Sequence, residues 1–165
     1  MAKFEQPFED TQEIFDQVIE TTGLEPETNK IILIGIKDNR GFRTILDSYD
    51  ETGKWTEEKE RQMITKFFET IAERTPSIIT GYNSENFDWD FIIKRTGIHG
   101  EQIERIASTL KYDSEIKRKK ATLKMGAEME YYEQTVMWGY NIMDIWHAVR
   151  RAAAINSNIK ETGLK

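Results

Sequence analysis

The chain has 165 residues and a net charge of −6, with no cysteine, two histidines, three prolines and ten glycines. That length suits one domain with a real core, and 38% hydrophobic residues with 4 Trp, 6 Tyr and 8 Phe argue against wholesale disorder. Disulfides, thiolate zinc sites and cysteine nucleophiles are excluded, and a histidine-rich metal site with them. Any bound metal has to sit on carboxylates, which favours Mg²⁺ or Mn²⁺. No apolar run approaches a membrane span, and Met1 to Glu5 lacks the apolar stretch of a signal peptide. These features are compatible with a cytoplasmic chain and name no compartment beyond that.

In chain order, the first stretch is ambiguous. Ile14, Phe15, Val18 and Ile19 fit an amphipathic helix ended by Gly23, and Phe15 to Thr21 also fits a strand. Ile31 to Ile36 is β-branched and apolar on both faces, which predicts a buried strand over 30–37. Asp38-Asn39-Arg40-Gly41 is turn chemistry, and 42–49 alternates as the second strand of a hairpin. Thr56 caps a helix over 56–75 that carries Met63, Phe67, Phe68 and Ile71 and stops at Pro76.

Ser77 to Gly81 predicts a short strand. Asn86 opens and caps a helix over 86–96, with Phe87, Phe91 and Ile92 inward and Gly97 and Gly100 at its end. Residues 101–112 predict an amphipathic helix through Ile103, Ile106 and Leu110. Residues 113–135 carry no decisive period. A last helix is expected from about Asn141, with Ile145, Ala148, Ala152 and Ile155 as its inward stripe. The order predicts an α/β fold, a mixed sheet flanked by helices, as one domain over 1–165.

Charge is uneven. Residues 1–93 hold 10 Lys+Arg against 20 Asp+Glu, and residues 94–165 hold 13 against 9. The densest basic run is Lys117-Arg118-Lys119-Lys120, readable as a phosphate-binding surface or as a solvated helix face. Trp138, Tyr140 and Trp146 read mainly as core, Tyr131 and Tyr132 as surface, and Arg150 and Arg151 as solvated.

Ile78 to Asn83 followed by Asn86-Phe87-Asp88 resembles the second exonuclease motif of family-B DNA polymerase proofreading domains. The resemblance implies that Asp88 is a metal ligand and that Asn83, Asn86 and Phe87 meet the DNA end. Ile19-Glu20-Thr21-Thr22-Gly23-Leu24-Glu25-Pro26, followed by Lys30 to Gly35, is similar to the first motif of DnaQ-like 3′–5′ exonucleases. There the pattern is Asp, any residue, Glu, which puts both carboxylates on one strand face. Glu20 is present, and the resemblance implies that Thr21 joins the DNA-end contacts. Val18 stands where the Asp belongs, and the nearest Asp is Asp16, which lies about 13 Å from Glu20 along a straight strand unless a bulge or helical turn brings it back.

Tyr140-Asn141-Ile142-Met143-Asp144 matches the Tyr-x-x-x-Asp form of the third motif, where Asp completes the metal site and Tyr orients water. Asp144 also fits a structural aspartate ahead of the last helix, with the third motif beyond the chain; both alternatives stay open here.

The resemblance implies an RNase H-like exonuclease domain, the whole or an N-terminal piece of a larger polymerase or exonuclease. It would remove nucleotides from the 3′ ends of single-stranded or frayed DNA, with two Mg²⁺ or Mn²⁺ ions on Glu20, Asp88, Asp144 and Asp16. The alternative is a catalytically impaired module of the same fold that binds nucleic acid or docks a DNA polymerase.

Overall fold

The computed structural model describes residues 13–100, 110, 116–156 and 158–159. The ambiguous first segment is a strand, β1 (Ile14–Thr21). Its side chains alternate, with Phe15, Gln17 and Ile19 buried and Ile14, Val18 and Glu20 exposed. β2 (Ile31–Asp38) and β3 (Arg43–Asp47) follow as antiparallel neighbours. β4 (Ile78–Gly81) pairs parallel with β1, and β7 (Asn141–Asp144) pairs parallel with β4. The result is a five-stranded mixed sheet in the order β3-β2-β1-β4-β7, flanked by helices.

Helix α1 (Glu57–Arg74) starts where the Thr56 hydroxyl accepts the Lys59 N–H at 3.1 Å. It ends at Thr75, whose φ of 45° is left-handed, one residue ahead of Pro76. Thr56→Ala removes the cap acceptor and should cost about 1 kcal/mol in urea unfolding. α1 and α2 (Asp88–Ile98) meet through Phe67 and Trp89, with ring centroids 6.0 Å apart. The core lies between these helices and the inward face of the sheet: Phe15, Ile19, Ile34, Ile36, Met63, Ile64, Phe67, Phe68, Ile71, Ile79, Trp89, Phe91 and Ile92 are all buried.

A buried ionic knot closes the far end of this core. The Glu60 carboxylate accepts from the Ile31 N–H (2.6 Å), Arg95 Nε (3.0 Å) and Arg95 Nη2 (2.5 Å), and pairs with His99 Nε2 at 2.9 Å. Burial pushes Glu60 upward, and these partners together outweigh it and leave the carboxyl below its ordinary range.

Several expectations need correction. The two apolar faces of 31–36 predict burial on both sides. Among the described residues Ile34 and Ile36 are buried, whereas Ile32 and Leu33 are half-buried. Val18 is 55% exposed and Ile45 71% exposed, and both are paired with Gly35 on the outward face. Asn86 does not cap α2: Phe87 occupies the cap without a side-chain bond, and the Asn86 amide donates to Asn83 Oδ1 instead.

The stretch without a decisive period forms a long hairpin, β5 (Ile116–Met125) and β6 (Glu128–Met137), turning at Gly126 with φ 59°. The basic run is therefore on a strand and not on a helix face. The last helix, α3 (Ile145–Ile155), begins four residues later than expected because 141–144 pairs with β4. Its predicted inward stripe faces out: Ile145, Ala148, Ala152 and Ile155 are all exposed. Trp146, His147 and Arg150 on the other side are half-buried against the hairpin. The helix expected over 101–112 lies outside the described residues apart from Leu110, which is buried.

Candidate active site

Strand β4 delivers the chain into a tight loop at Gly81. A Cβ there would stand 2.6 Å from Ser84 Cβ and 3.0 Å from Gln17 Nε2, so only glycine allows this approach. Two residues on, Asn83 adopts φ 59°, a left-handed conformation that asparagine tolerates better than most residues. The loop then enters α2, which places Asp88 in the first turn.

Asp88 is 5% exposed, and its Oδ2 accepts from Gln17 Nε2 at 3.4 Å. Burial raises the carboxyl pKa to about 7; the Gln17 bond pulls it down and the nearby Asp144 charge pushes it further up. Gln17 belongs to none of the motifs, so sequence reasoning misses it. A signal exists all the same: it is the polar member of the inward set Phe15, Gln17, Ile19, and a buried polar side chain needs a partner.

Asp144 ends β7 opposite Gly81 in the sheet register. Its Oδ1 accepts from the Asn83 N–H (2.8 Å) and the Trp146 N–H (2.9 Å), and its Oδ2 accepts from the Glu85 N–H (3.0 Å). Asp144 therefore caps α3 and clamps the 81–87 loop with the same carboxylate. A shared helix face does not relate Tyr140 to Asp144, because 141–144 is extended. Tyr140 is 7% exposed, pairs with Met137 in an isolated bridge and packs in the core.

The first-motif residues lie on the outward face of β1. Asp16, Val18 and Glu20 alternate along one side, and the ladder to β2 is regular from Phe15 to Glu20, with its irregularity only at Glu20/Thr21. No bulge carries Asp16 toward Glu20. Asp16 is engaged by Lys37 Nζ at 3.1 Å and by the Thr80 hydroxyl at 3.3 Å. Thr21 Oγ1 donates to the Gly23 carbonyl at 2.6 Å.

Among the described residues no three His, Asp or Glu side chains gather to hold a metal ion. The donor set accounts for this: a valine occupies the first-motif position, Asp144 is taken up by backbone N–H groups, and Asp88 faces an amide. These residues do not fit a two-metal centre.

On the other side of the loop, Asn86 borders a concavity of about 210 Å³ with Leu123, Tyr132, Trp146, His147 and Arg150. Arg150 pairs with Glu130 at 2.5 Å and lies 4.5 Å over the Trp146 ring, and Tyr132 meets His147 edge-on at 4.4 Å. Burial pushes Tyr132 above and His147 below their ordinary values, which keeps both rings neutral near pH 7. Phe87 is half-buried and packs on Phe91.

Residues 9–160 match the family model for the DNA polymerase family B exonuclease domain. The chain belongs to that family. The exonuclease-family domain is 37% identical over 84 residues to the DNA polymerase of Archaeoglobus fulgidus, covering 50% of this chain and 10% of that relative. It is 28% identical over 79 residues to DNA polymerase 2 of Aeropyrum pernix, covering 48% of the chain and 9% of the relative. It is 37% identical over 60 residues to the catalytic subunit of DNA polymerase epsilon from Saccharomyces cerevisiae, covering 36% and 2%. The family B DNA polymerase of Pyrobaculum calidifontis shares the fold, with a TM-score of 0.60, 17% identity, and 86% of this chain and 16% of that chain covered. The exonuclease-family domain thus spans about a tenth of the two archaeal relatives. The resemblance seen in the motifs is borne out at the level of the family and the fold. Among the described residues, no helix is long and apolar enough to cross a membrane.

Proposed function

We propose that this domain engages the 3′ end of single-stranded or frayed DNA in a polymerase setting, with 3′–5′ exonuclease chemistry held far below what its fold can support. The observation that carries this reading is Val18. It sits on the outward face beside Glu20, where the family pattern has a carboxylate, and it is 55% exposed. Divalent ions held by such a carboxylate cluster would supply hydroxide activation and stabilisation of negative charge, and holding them would need the carboxylate that Val18 replaces. Glu20 and Asp88 without that carboxylate leave too little charge.

The chain's own groups support the binding half of the reading. Asn83 is fixed in its left-handed turn by Asp144, and Asn86 borders the aromatic concavity, where a terminal base has rings to stack on. Lys119 and Lys120 are exposed on the hairpin and offer phosphate contacts. Docking to the polymerase portion of a longer protein is compatible with the same surface.

The test is degradation of a 5′-labelled oligonucleotide by wild type, Asp88→Ala and Val18→Asp, with Mg²⁺ and with EDTA. Wild type and Asp88→Ala should be alike and near background. Val18→Asp should acquire Mn²⁺-dependent thermal stabilisation absent from the wild type, since it sets a third carboxylate between Asp16 and Glu20 on the outward face of β1. The new charge is cheap there because Val18 is exposed, contrary to the burial cost a buried strand would impose. Brisk wild-type degradation abolished by Asp88→Ala would replace this reading with that of a working exonuclease.

A further inference from the structure

Strand geometry divides the basic run. Successive side chains on β5 point to opposite faces, so Arg118 stands apart from Lys117 and Lys119. Lys119 and Lys120 are exposed, whereas the Arg118 side chain is 16% exposed and turned inward. Its Nη1 donates to Glu85 Oε2 (2.8 Å) and to Thr135 Oγ1 (2.6 Å), and its Nη2 donates to the Glu85 carbonyl (2.6 Å).

Glu85 is 2% exposed and is itself doubly used. Its Oε2 accepts the Thr135 N–H at 2.8 Å, and its own N–H donates to Asp144 Oδ2 at 3.0 Å. Thr135 is the register partner of Arg118 across the hairpin. A continuous chain therefore runs from both hairpin strands through Arg118 and Glu85 to Asp144, and the 81–87 loop is gripped between its two ends.

We propose that Arg118 is a positioning residue for DNA-end binding: it fixes the Asn83–Phe87 loop to the β5–β6 hairpin and takes no phosphate itself. This rests on the reading that the loop meets a DNA end. The planar guanidinium is what the arrangement uses, because a carboxylate, a carbonyl and a hydroxyl are bridged at fixed angles by one group. A lysine supplies the charge but not the fork.

Binding of a fluorescent oligothymidylate across a salt series separates a positioning role from a phosphate contact, because each phosphate contact contributes about 0.7 to the slope of log K against log salt for single strands. Lys119→Ala and Lys120→Ala should each reduce that slope. Arg118→Ala should weaken binding about tenfold with the slope unchanged, the size of one lost charged hydrogen bond. Arg118→Lys, which keeps the charge, should not restore affinity. Hydrogen exchange on folded Arg118→Lys should show lost protection at the Glu85 and Thr135 amides with β1 and α1 unaltered.

A slope that falls in Arg118→Ala as it does in the lysine variants overturns the proposal, and so does wild-type affinity in folded Arg118→Lys. A wild-type chain that binds no single-stranded DNA even at low salt overturns the DNA-end reading, and this role with it. The three results differ, so the two ideas fail separately.

Discussion

Asp144→Ala should unfold at markedly lower denaturant than the wild type, with a loss of about 3–5 kcal/mol, because three backbone N–H groups lose one charged acceptor together. Two of those donors belong to the 81–87 loop and the third opens α3. The loss should be larger than a helix cap alone explains, since Asp144 is 8% exposed and water reaches the orphaned donors poorly. Asp144→Asn keeps one acceptor oxygen and should recover roughly half of the stability. For a chain of this size the alanine variant should melt about 10 °C lower. If Asp144 served mainly as a metal ligand, the asparagine variant would instead leave metal-free stability unchanged and abolish Mn²⁺ binding. Urea unfolding and Mn²⁺ titration of the same two variants distinguish these outcomes.

Asp88→Asn should stabilise the protein at neutral pH. Burial holds the Asp88 carboxyl at about 7 in the folded state against 3.8 as its ordinary value. The folded protein therefore keeps a proton that the unfolded chain releases from about pH 4 upward, so stability falls as pH rises through that window and levels off above about 7. A displacement of that size corresponds to at most about 4 kcal/mol at neutral pH. Asparagine is neutral throughout, retains an oxygen for the Gln17 amide, and should flatten the pH dependence between those limits. The measurement is the free energy of unfolding from urea titrations at several pH values. A variant that is less stable than wild type at pH 7, or one with the wild-type pH slope, would show that Asp88 is not an uncompensated buried acid.

These two residues differ in how far the sequence reveals them. Asp88 is legible because its motif is local: strand, glycine turn, helix and carboxylate lie within about a dozen residues, and each element has a sequence signature. Asp144 has the right position and the wrong geometry. A Tyr-x-x-x-Asp spacing reads as one face of a helix, but pairing with β4 holds 141–144 extended, and edge-strand pairing outweighs the helical period of so short a segment. The stripe Ile145, Ala148, Ala152, Ile155 misleads for a related reason. It is periodic, yet the helix turns its aromatic and arginine side to the hairpin, and no local rule says which side a neighbour will cover.

Arg118 and Glu85 are harder still. One lies in a basic run, the other sits inside a motif that gives it no role, and 33 residues separate them. A run of four basic residues suggests one shared surface only if the secondary structure is known. On a strand the alternation sends Arg118 inward while its neighbours stay in solvent.

By itself the sequence determined the class of fold, the order of the strands and helices from Ile31 up to Ile98, the loop carrying Asn83 and Asn86, and the departure at Val18. All of these follow from local periodicity, turn chemistry and motif spacing. Only the tertiary structure decided that β1 is a strand lying between β2 and β4, that Asp16 is too far along it to replace the missing carboxylate, and that Asp144 and Glu85 hold the loop. Those facts depend on pairing between segments tens of residues apart. Hydrogen bonds from a side chain to backbone N–H groups of a distant segment, unlike a local helix cap, leave no mark in the sequence that provides them.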